Sequence, residues 1–451
     1  MAEPLWTAVA IADATGVSFD TREVQPGDLF VALEGARDGH DFVRDAFLAG
    51  AAGALVSRPV TGGPTVTVEG STLVALEALA AAARERSGAR RAVVTGSVGK
   101  TSVTQAMLAA LLLAGEAHGS VKSFNNHIGV PLTLARMPAE TERAVFEIGM
   151  NHADEITPLS RLVRPHLAVV TTVGPVHTEN FADGEAGVAR AKAEIFDGLA
   201  PGGVAVIPAD GPWAAFLADM ARRAGARVLT FGSAEGADAQ LLGFEPGEEG
   251  ASVMARLHGR ALRFPLAQRG AHWGPNSLAV LLACVELGVP VETTLEALAA
   301  FAPLAGRGAE QRLPVAGGDY LLIDESYNAN PISIRAALDT LSRRPGRRIA
   351  VLTDMLELGP DGERMHAELA QAAVAADVAR VFTAGPLMRA LNDALPTERR
   401  GTWAATAAEL APAVVEAIRP GDVVMIKGSN GSKASLVVRA LQDARRPRDA
   451  G

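Results

Sequence analysis

The chain has a single cysteine, Cys284, among 451 residues. That excludes a disulfide framework and any zinc site built on several thiolates, and it suits a reducing cytosol. Basic residues are in deficit, with 42 Lys and Arg against 51 Asp and Glu and a formal charge of −9. Such a balance argues against a nucleic-acid partner, which calls for Lys and Arg clustered against phosphates. Aromatic residues are scarce at 4 %, and tyrosine occurs only twice. No apolar run approaches the ~20 residues that span a bilayer. The opening MAEPLWTAVAIADATG has no basic flank ahead of an apolar core, so it does not read as a signal peptide. What is plentiful is hydrophobic content, 48 %, in a length that predicts about three domains. A cytoplasmic, multidomain α/β protein is expected.

Short β-rich runs fill the first ~88 residues: GVSFDTR, GDLFVAL, AGALVS and PTVTVEG, with an alanine-rich helix at 74–86. The polar stretch RERSGARR then reads as a linker. Beyond it RAVVTG, AVFEIGM, HLAVVTTVG and GGVAVIPAD are buried-strand patterns separated by helical segments, which predicts a parallel sheet covered on both faces. A second break falls at FAPLAGRGAEQR. After it YLLIDES, RIAVLTDM, RVFTAG and DVVMIKG alternate with helices, the pattern of a doubly wound domain. The expected boundaries are 1–88, 89–308 and 309–451.

VVTGSVGKTS (93–102) lies after a strand and before a helix, where a phosphate cradle belongs. Gly96 and Gly99 let the backbone turn its amides inward, Lys100 offers a cation to the β- and γ-phosphates, and Thr101 offers a hydroxyl to Mg²⁺. Strict Walker spacing wants glycine where this chain has Val94, so the loop is a variant; ATP or GTP is the expected occupant. In GEAGVARAKAEIFDGL (184–199) the helical spacing puts Lys192 on one stripe with Val188, Ile195 and Leu199, facing the interior. A lysine there snorkels, finds a salt bridge, or is carbamylated by CO₂ into an anion that binds Mg²⁺.

Other polar residues gather at strand ends, where an α/β nucleotide site sits. Glu147 closes AVFEIGM, His152 follows in NHADE, and His177 lies just past HLAVVTTVG. His272 and Asn276 stand near a helix start in GAHWGPNSLAVLLA, where Asn276 serves either an adenine edge or the helix end. Asp324, Tyr327, Asn328 and Asn330 make the loop LLIDESYNANPISI more polar than a connection needs; capping accounts for Asn330 alone. Arg307 sits in the hinge AGRG, from which domain closure would bring it to a transferring phosphoryl group.

The ordered set TGSVGKTS, FNNHIGVPLTL, FEIGMNHADEI, RAKAEIF, AHWGPNSLAVL, LAGRG, DESYNANP and DMLELG resembles the Mur ligases over nearly the whole chain. FDTREVQPGDLFVALEGARDGHDF resembles their uridine-nucleotide domain, and SYNANP points to the branch that adds D-alanyl-D-alanine. The resemblance implies three domains: a small mixed α/β UDP-binding domain, a central P-loop ATPase domain with a parallel sheet, and a Rossmann-like C-terminal domain. It implies an amide ligase that joins D-alanyl-D-alanine to a UDP-N-acetylmuramoyl-tripeptide through an acyl phosphate, releasing ADP and phosphate. ATP and two Mg²⁺ ions are implied, in a chain with no membrane span that works as a monomer.

Residue by residue, the resemblance puts ATP on Gly96, Ser97, Val98, Gly99, Lys100, Thr101 and Ser102. Thr101, Glu147 and His177 match Mg²⁺ ligands, and Lys192 matches a lysine whose carbamate helps hold the second ion. His272 and Asn276 match adenine-side contacts, and Arg307 matches the hinge arginine. Asp324, Tyr327 and Asn330 match the C-terminal part of the nucleotide site. Asp20, Thr21 and Arg22, with Asn125 and Asn126, match positions facing the UDP-sugar. Lys427, Ser429 and Asn430 belong to the dipeptide side, where KGSNG replaces the usual KGSR; Trp273 and DES also depart from the pattern. The rivals are a folylpolyglutamate-synthetase-like ligase, which lacks the FDTR…GDLFVAL domain, a small-molecule kinase and a silent nucleotide-binding scaffold.

Overall fold

The computed structural model describes residues 14–120, 123–247 and 250–444; residues 1–13, most of the segment weighed as a leader, lie outside them. Three sheets follow one another along the chain. The first is parallel and four-stranded, with β1 (Gly16–Ser18), β2 (Asp28–Val31), β3 (Gly53–Val56) and β4 (Thr65–Thr67) in sequence order. The second has nine strands: β5 (Arg90–Thr95), β6 (Ala117–Gly119), β7 (Arg143–Glu147), β8 (Leu167–Val170), β9 (Val204–Pro208), β10 (Arg227–Gly232), β11 (Ala239–Pro246), β12 (Ala251–Leu257) and β13 (Arg260–Leu266). Their spatial order is β13-β12-β11-β10-β9-β8-β5-β7-β6. The third has β14 (Ala309–Val315), β15 (Gly318–Glu325), β16 (Arg347–Thr353), β17 (Arg380–Ala384), β18 (Arg400–Ala404) and β19 (Asp422–Lys427), ordered β14-β15-β19-β16-β17-β18.

The mixed α/β architecture is the one expected, and the apolar runs read as strands lie at its centre. Ala92–Thr95, Ala144–Glu147 and Leu167–Val170 are buried without a break, as strands covered on both faces must be. The central sheet is less uniform than its sequence suggested. β12 pairs antiparallel with both β11 and β13; every second residue of β12 is buried, whereas β11 and β13 are mostly half-buried or exposed. One wetted face leaves no continuous apolar run, so the residue pattern gave little warning of this extension. The helix containing Lys192 is also shorter than the stripe implied: Glu185–Ala193 is α-helical, and Glu194–Gly198 tightens into a 3₁₀ turn.

The two breaks in the sequence differ physically. RERSGARR is barely a linker, because the helix Thr72–Arg86 leads into β5 at Arg90 with Ser87 and Ala89 both buried. Val17, Leu29, Leu55, Leu76 and Leu79 share one apolar cluster with Val130, Leu134, Phe146 and Ile156. The first two sheets are therefore joined through a common core. The third sheet is flanked by two clusters containing only residues 320–441, and it follows the turn 301–308. Its polar links to the middle of the chain include Arg307 to Ser123, Arg269 to Glu310 and Glu357 to His177. Contacts of that kind separate more readily than a shared core, so movement is expected at the second break and not at the first. No helix among the described residues is long and apolar enough to cross a membrane.

Candidate active site

β5 ends in the turn that opens the helix Lys100–Leu113. At Gly96 the backbone has φ +148°, and an added Cβ would lie 1.9 Å from Thr171 Oγ1; at Gly99, with φ +87°, it would meet the Asn276 amide at 3.2 Å. Neither turn position accommodates a side chain without strain. Thr171 fastens the loop from the end of β8 by donating to Val98 O at 2.5 Å, and Ser97 Oγ donates to Gly174 O at 3.0 Å. The free amides at the start of the helix are thereby held as an anion cradle.

The cradle forms one wall of a cavity of about 520 Å³ between the second and third sheets. Ser97, Val98, Gly99, Lys100, Thr101 and Ser102 line it, as do Glu147 and His177. Lys100 Nζ donates to Gly96 O at 2.8 Å. Burial draws its ammonium below the ordinary lysine range, with Glu147 opposing and Arg307 reinforcing the shift. Glu147 Oε1 accepts from Asn125 Nδ2 at 2.7 Å, whereas its Oε2 is buried and has no hydrogen-bond partner among the described residues. Thr101 Oγ1 lies 3.0 Å from Ser123 Oγ. A carboxylate oxygen with spare lone pairs and a hydroxyl are hard oxygen donors that fit Mg²⁺, with the imidazole a softer nitrogen donor beside them. Among the described residues no three His, Cys, Asp or Glu converge on a metal position, so phosphate and water oxygens would have to complete the shell.

Lys192 is 1 % exposed and does not line the cavity. Burial, and then the nearby Lys100, hold its amine well below the usual range, with Glu194 opposing. The snorkelling alternative is thereby excluded: the amine stays inside. Glu194 is occupied elsewhere, accepting from the backbone N–H of Asp154, Ile156 and Thr157. His177 stands in the left-handed region at φ +56° with Nδ1 2.5 Å from Glu357 Oε2, outside hydrogen-bonding geometry. Burial, then Lys100 and Lys192, lower its pKa from 6.5 to about 4. The imidazole is neutral in the folded chain. Its stabilising contribution is complete above pH 6.5 and is lost as pH falls towards 4. At about 1.4 kcal/mol per pH unit, the loss reaches about 3 kcal/mol. Urea titrations at pH 7 and 4.5 should show the wild type losing that much more than His177→Asn; equal losses would contradict the assignment.

The opposite wall comes from the third sheet. Asp324 Oδ2 accepts from Gly306 N at 3.0 Å, and Tyr327 N donates to Gly306 O at 3.1 Å, lacing the hinge to the end of β15. Arg307 lies over the Tyr327 ring, 4.3 Å from its centroid, and reaches Ser123 Oγ at 3.4 Å. Arg307→Lys keeps the charge but loses the flat stacked fork. Turnover should fall about 10- to 100-fold with little change in the KM for nucleotide; an unchanged kcat would show that stacking is idle. Lys427, 3 % exposed, donates to Glu325 Oε2 at 3.1 Å and to Asn328 O at 2.9 Å.

His272 and Asn276 also line the cavity, at the start of the helix Trp273–Glu286. Burial lowers the pKa of His272, with Glu325 opposing and Lys427 reinforcing. Trp273 points away, 4 % exposed and packed on Phe301 in the core behind the cavity. That departure from the Mur pattern is a packing feature.

Several expected residues act at one remove. Asn330 caps the helix Pro331–Ser342 in a capping box, Asp324 braces the hinge, and neither lines the cavity. Ser429 is buried between Leu356 N and Ala329 O, and Asn430 is exposed outside the cavity. Asn125 lines the cavity, whereas Asn126 Oδ1 accepts from Ile128 N and Gly129 N at the adjoining helix. Asp20 holds exposed Arg22 by an ion pair, and with Thr21 they lie outside the cavity. Phe19 against Phe124, with ring centroids 6.4 Å apart, brings their loop beside Asn125 and Asn126. His152 is exposed and paired with Glu155. Ser123 and Glu325 line the cavity but were not singled out, because a lone serine and a strand-end glutamate have no spacing to betray them.

The Mur ligase middle domain matches residues 94–284, and the Mur ligase glutamate ligase domain matches 311–430. The UDP-N-acetylmuramoyl-tripeptide–D-alanyl-D-alanine ligase of Escherichia coli (strain K12) is 35 % identical over 440 residues, 96 % of this chain and 95 % of that protein. A crystal structure of MurF from Acinetobacter baumannii superposes with TM-score 0.85 at 28 % identity, covering 97 % of this chain and 99 % of that one. MurF ligase from Thermotoga maritima in complex with ADP shares the fold, with TM-score 0.81 at 24 % identity and coverage of 96 % and 98 %.

Proposed function

The chain belongs to the Mur ligase family, and on that footing we propose that it joins D-alanyl-D-alanine to a UDP-N-acetylmuramoyl-tripeptide at the expense of ATP. The observation that carries this reading is the single cavity in which a phosphate cradle and Lys100 face Glu325, Lys427 and the hinge Arg307 across a domain boundary. A phosphate-activating wall and a movable opposing wall are what coupling of an activated acid to an amine requires.

A carboxylate does not form an amide at neutral pH without activation. In the first step the tripeptide carboxylate oxygen attacks the γ-phosphorus, the bond to the β-bridging oxygen breaks, and acyl phosphate and ADP form. Lys100 and the loop amides hold the phosphoryl oxygens as charge shifts among them. Arg307 reaches the same cavity from the hinge. In the second step the unprotonated amine of D-alanyl-D-alanine attacks the carbonyl carbon. Phosphate leaves carrying the former carboxylate oxygen, and the amine proton is lost. Closure of the third domain keeps water from hydrolysing the acyl phosphate.

Thr101, Glu147 and His177 would hold Mg²⁺, and a carbamate on Lys192 would contribute to a second ion. Bound there, the metal supplies positive charge to the transferring phosphoryl group. The buried Lys192 amine, whose burial favours the neutral form, supports carbamylation: the neutral amine attacks CO₂, releases a proton and becomes an anion. The N-terminal loop 20–22, beside Asn125 and Asn126, is the surface assigned to the UDP-sugar.

The test incubates the chain with ATP, Mg²⁺ and UDP-muramoyl-tripeptide, with and without D-alanyl-D-alanine. ADP and phosphate should form one-for-one with the pentapeptide product. AMP and pyrophosphate, or a phosphorylated acceptor without a new amide, would overturn the proposal.

A further inference from the structure

The active cavity occupies the carboxyl ends of the C-terminal strands; a second groove, of about 470 Å³, lies at their amino ends. Four neighbouring strands, β19-β16-β17-β18, each have an arginine at or just before their start. Arg347, Arg380 and Arg400 are the first residues of β16, β17 and β18, and Arg419 stands three residues before β19. All four line the groove. Ile349 and Phe382, both buried in the core, lie beneath it, and the last turns of the helix Ala407–Ala417 close one side.

Only part of this charge is matched within the protein. Arg347 is paired with buried Asp422 at 2.7 Å. Arg400 donates to Leu395 O and Asp393 O, and Arg380 Nη1 donates to Arg400 O. These carbonyls orient the guanidiniums without neutralising them. Arg419 is exposed and its side chain has no hydrogen-bond or ion-pair partner among the described residues. Glu416 is the one acidic residue lining the groove, so the arginines outnumber the acids that face them. In a chain of formal charge −9, such a cluster runs against the overall balance.

We propose that this groove binds a phosphate monoester, with the phosphate on Arg380 and Arg419 and its organic part in the groove between them and the helix Ala407–Ala417. Planar guanidinium forks bind phosphate in two-point fashion, and a concave groove with a few convergent polar groups is where a small ligand sits. The groove and the nucleotide cavity share no lining residue, so the inference stands apart from the ligase assignment. The same chemistry could arrive as a soluble ester or as a lipid headgroup.

The experiment titrates phenyl phosphate calorimetrically into the full chain after saturating the phosphate loop with ADP, at low and high salt. One saturable site is expected, weakened about tenfold or more in the double variant Arg380→Ala/Arg419→Ala and weakened by salt. Lys100→Ala should leave it intact, and the double variant should keep the wild-type KM for ATP, which also reports its folding. Sedimentation with phosphatidic acid vesicles separates the sources: arginine-dependent capture assigns a lipid headgroup, and binding of the free ester alone assigns a soluble ligand. No saturable binding of either probe, binding unchanged in the double variant, or loss in Lys100→Ala would overturn the proposal.

Discussion

Lys100→Ala is expected to reduce kcat by about 10³-fold while leaving the fold intact. The magnitude follows from removing a preorganised positive group from a phosphoryl-transfer site, where loss of a single stabilising donor already costs 10²–10³. The fold should survive because the ammonium hydrogen-bonds a carbonyl of its own loop, Gly96 O, and alanine favours the helix it opens. Both ADP release and pentapeptide formation should fall together. A variant that hydrolyses ATP normally but makes no product would move Lys100 out of the activation step and into coupling.

Lys192→Met should be nearly as damaging, with activity down about 10²-fold or more. Methionine matches the length and suits a position 1 % exposed, so the thermal midpoint should hold or rise. If the buried amine carries CO₂, activity of the wild type should also fall in decarbonated buffer and return with bicarbonate. Labelled bicarbonate should give a carbamate carbon resonance in the wild type and none in Lys192→Met. Short carboxylates should partly rescue the variant by replacing the missing oxygens. Full activity in Lys192→Met would remove Lys192 from the site.

The strands bearing the chemistry were readable from residues because burial on both faces demands unbroken apolar runs, as in Val93–Thr95 and Leu167–Val170. The phosphate loop was readable for a related reason: Gly96 and Gly99 occupy backbone conformations that other residues resist. Lys192 was conspicuous because a charge on an apolar stripe breaks helical periodicity. The antiparallel extension β11–β13 was not legible, since strands with a wetted face alternate weakly. The division of labour in DESYNANP was hidden as well. Asp324 braces the hinge, Asn330 caps a helix, and Tyr327 receives Arg307, yet one polar loop looks alike for all three roles. Nor does sequence reveal that the N-terminal and central sheets share a core, because Val17 and Phe146, far apart in the chain, join one apolar cluster only in the folded state.

The central claim is that ATP in the Gly96–Ser102 cradle transfers its terminal phosphoryl group to the tripeptide carboxylate before the amide forms. The most direct measurement uses UDP-muramoyl-tripeptide labelled with ¹⁸O in its terminal carboxylate. One turnover should deliver one labelled oxygen into the released inorganic phosphate, in step with ADP and pentapeptide. Unlabelled phosphate alongside labelled pentapeptide would mean that ATP hydrolysis and amide formation are not joined through an acyl phosphate, and the account would fail.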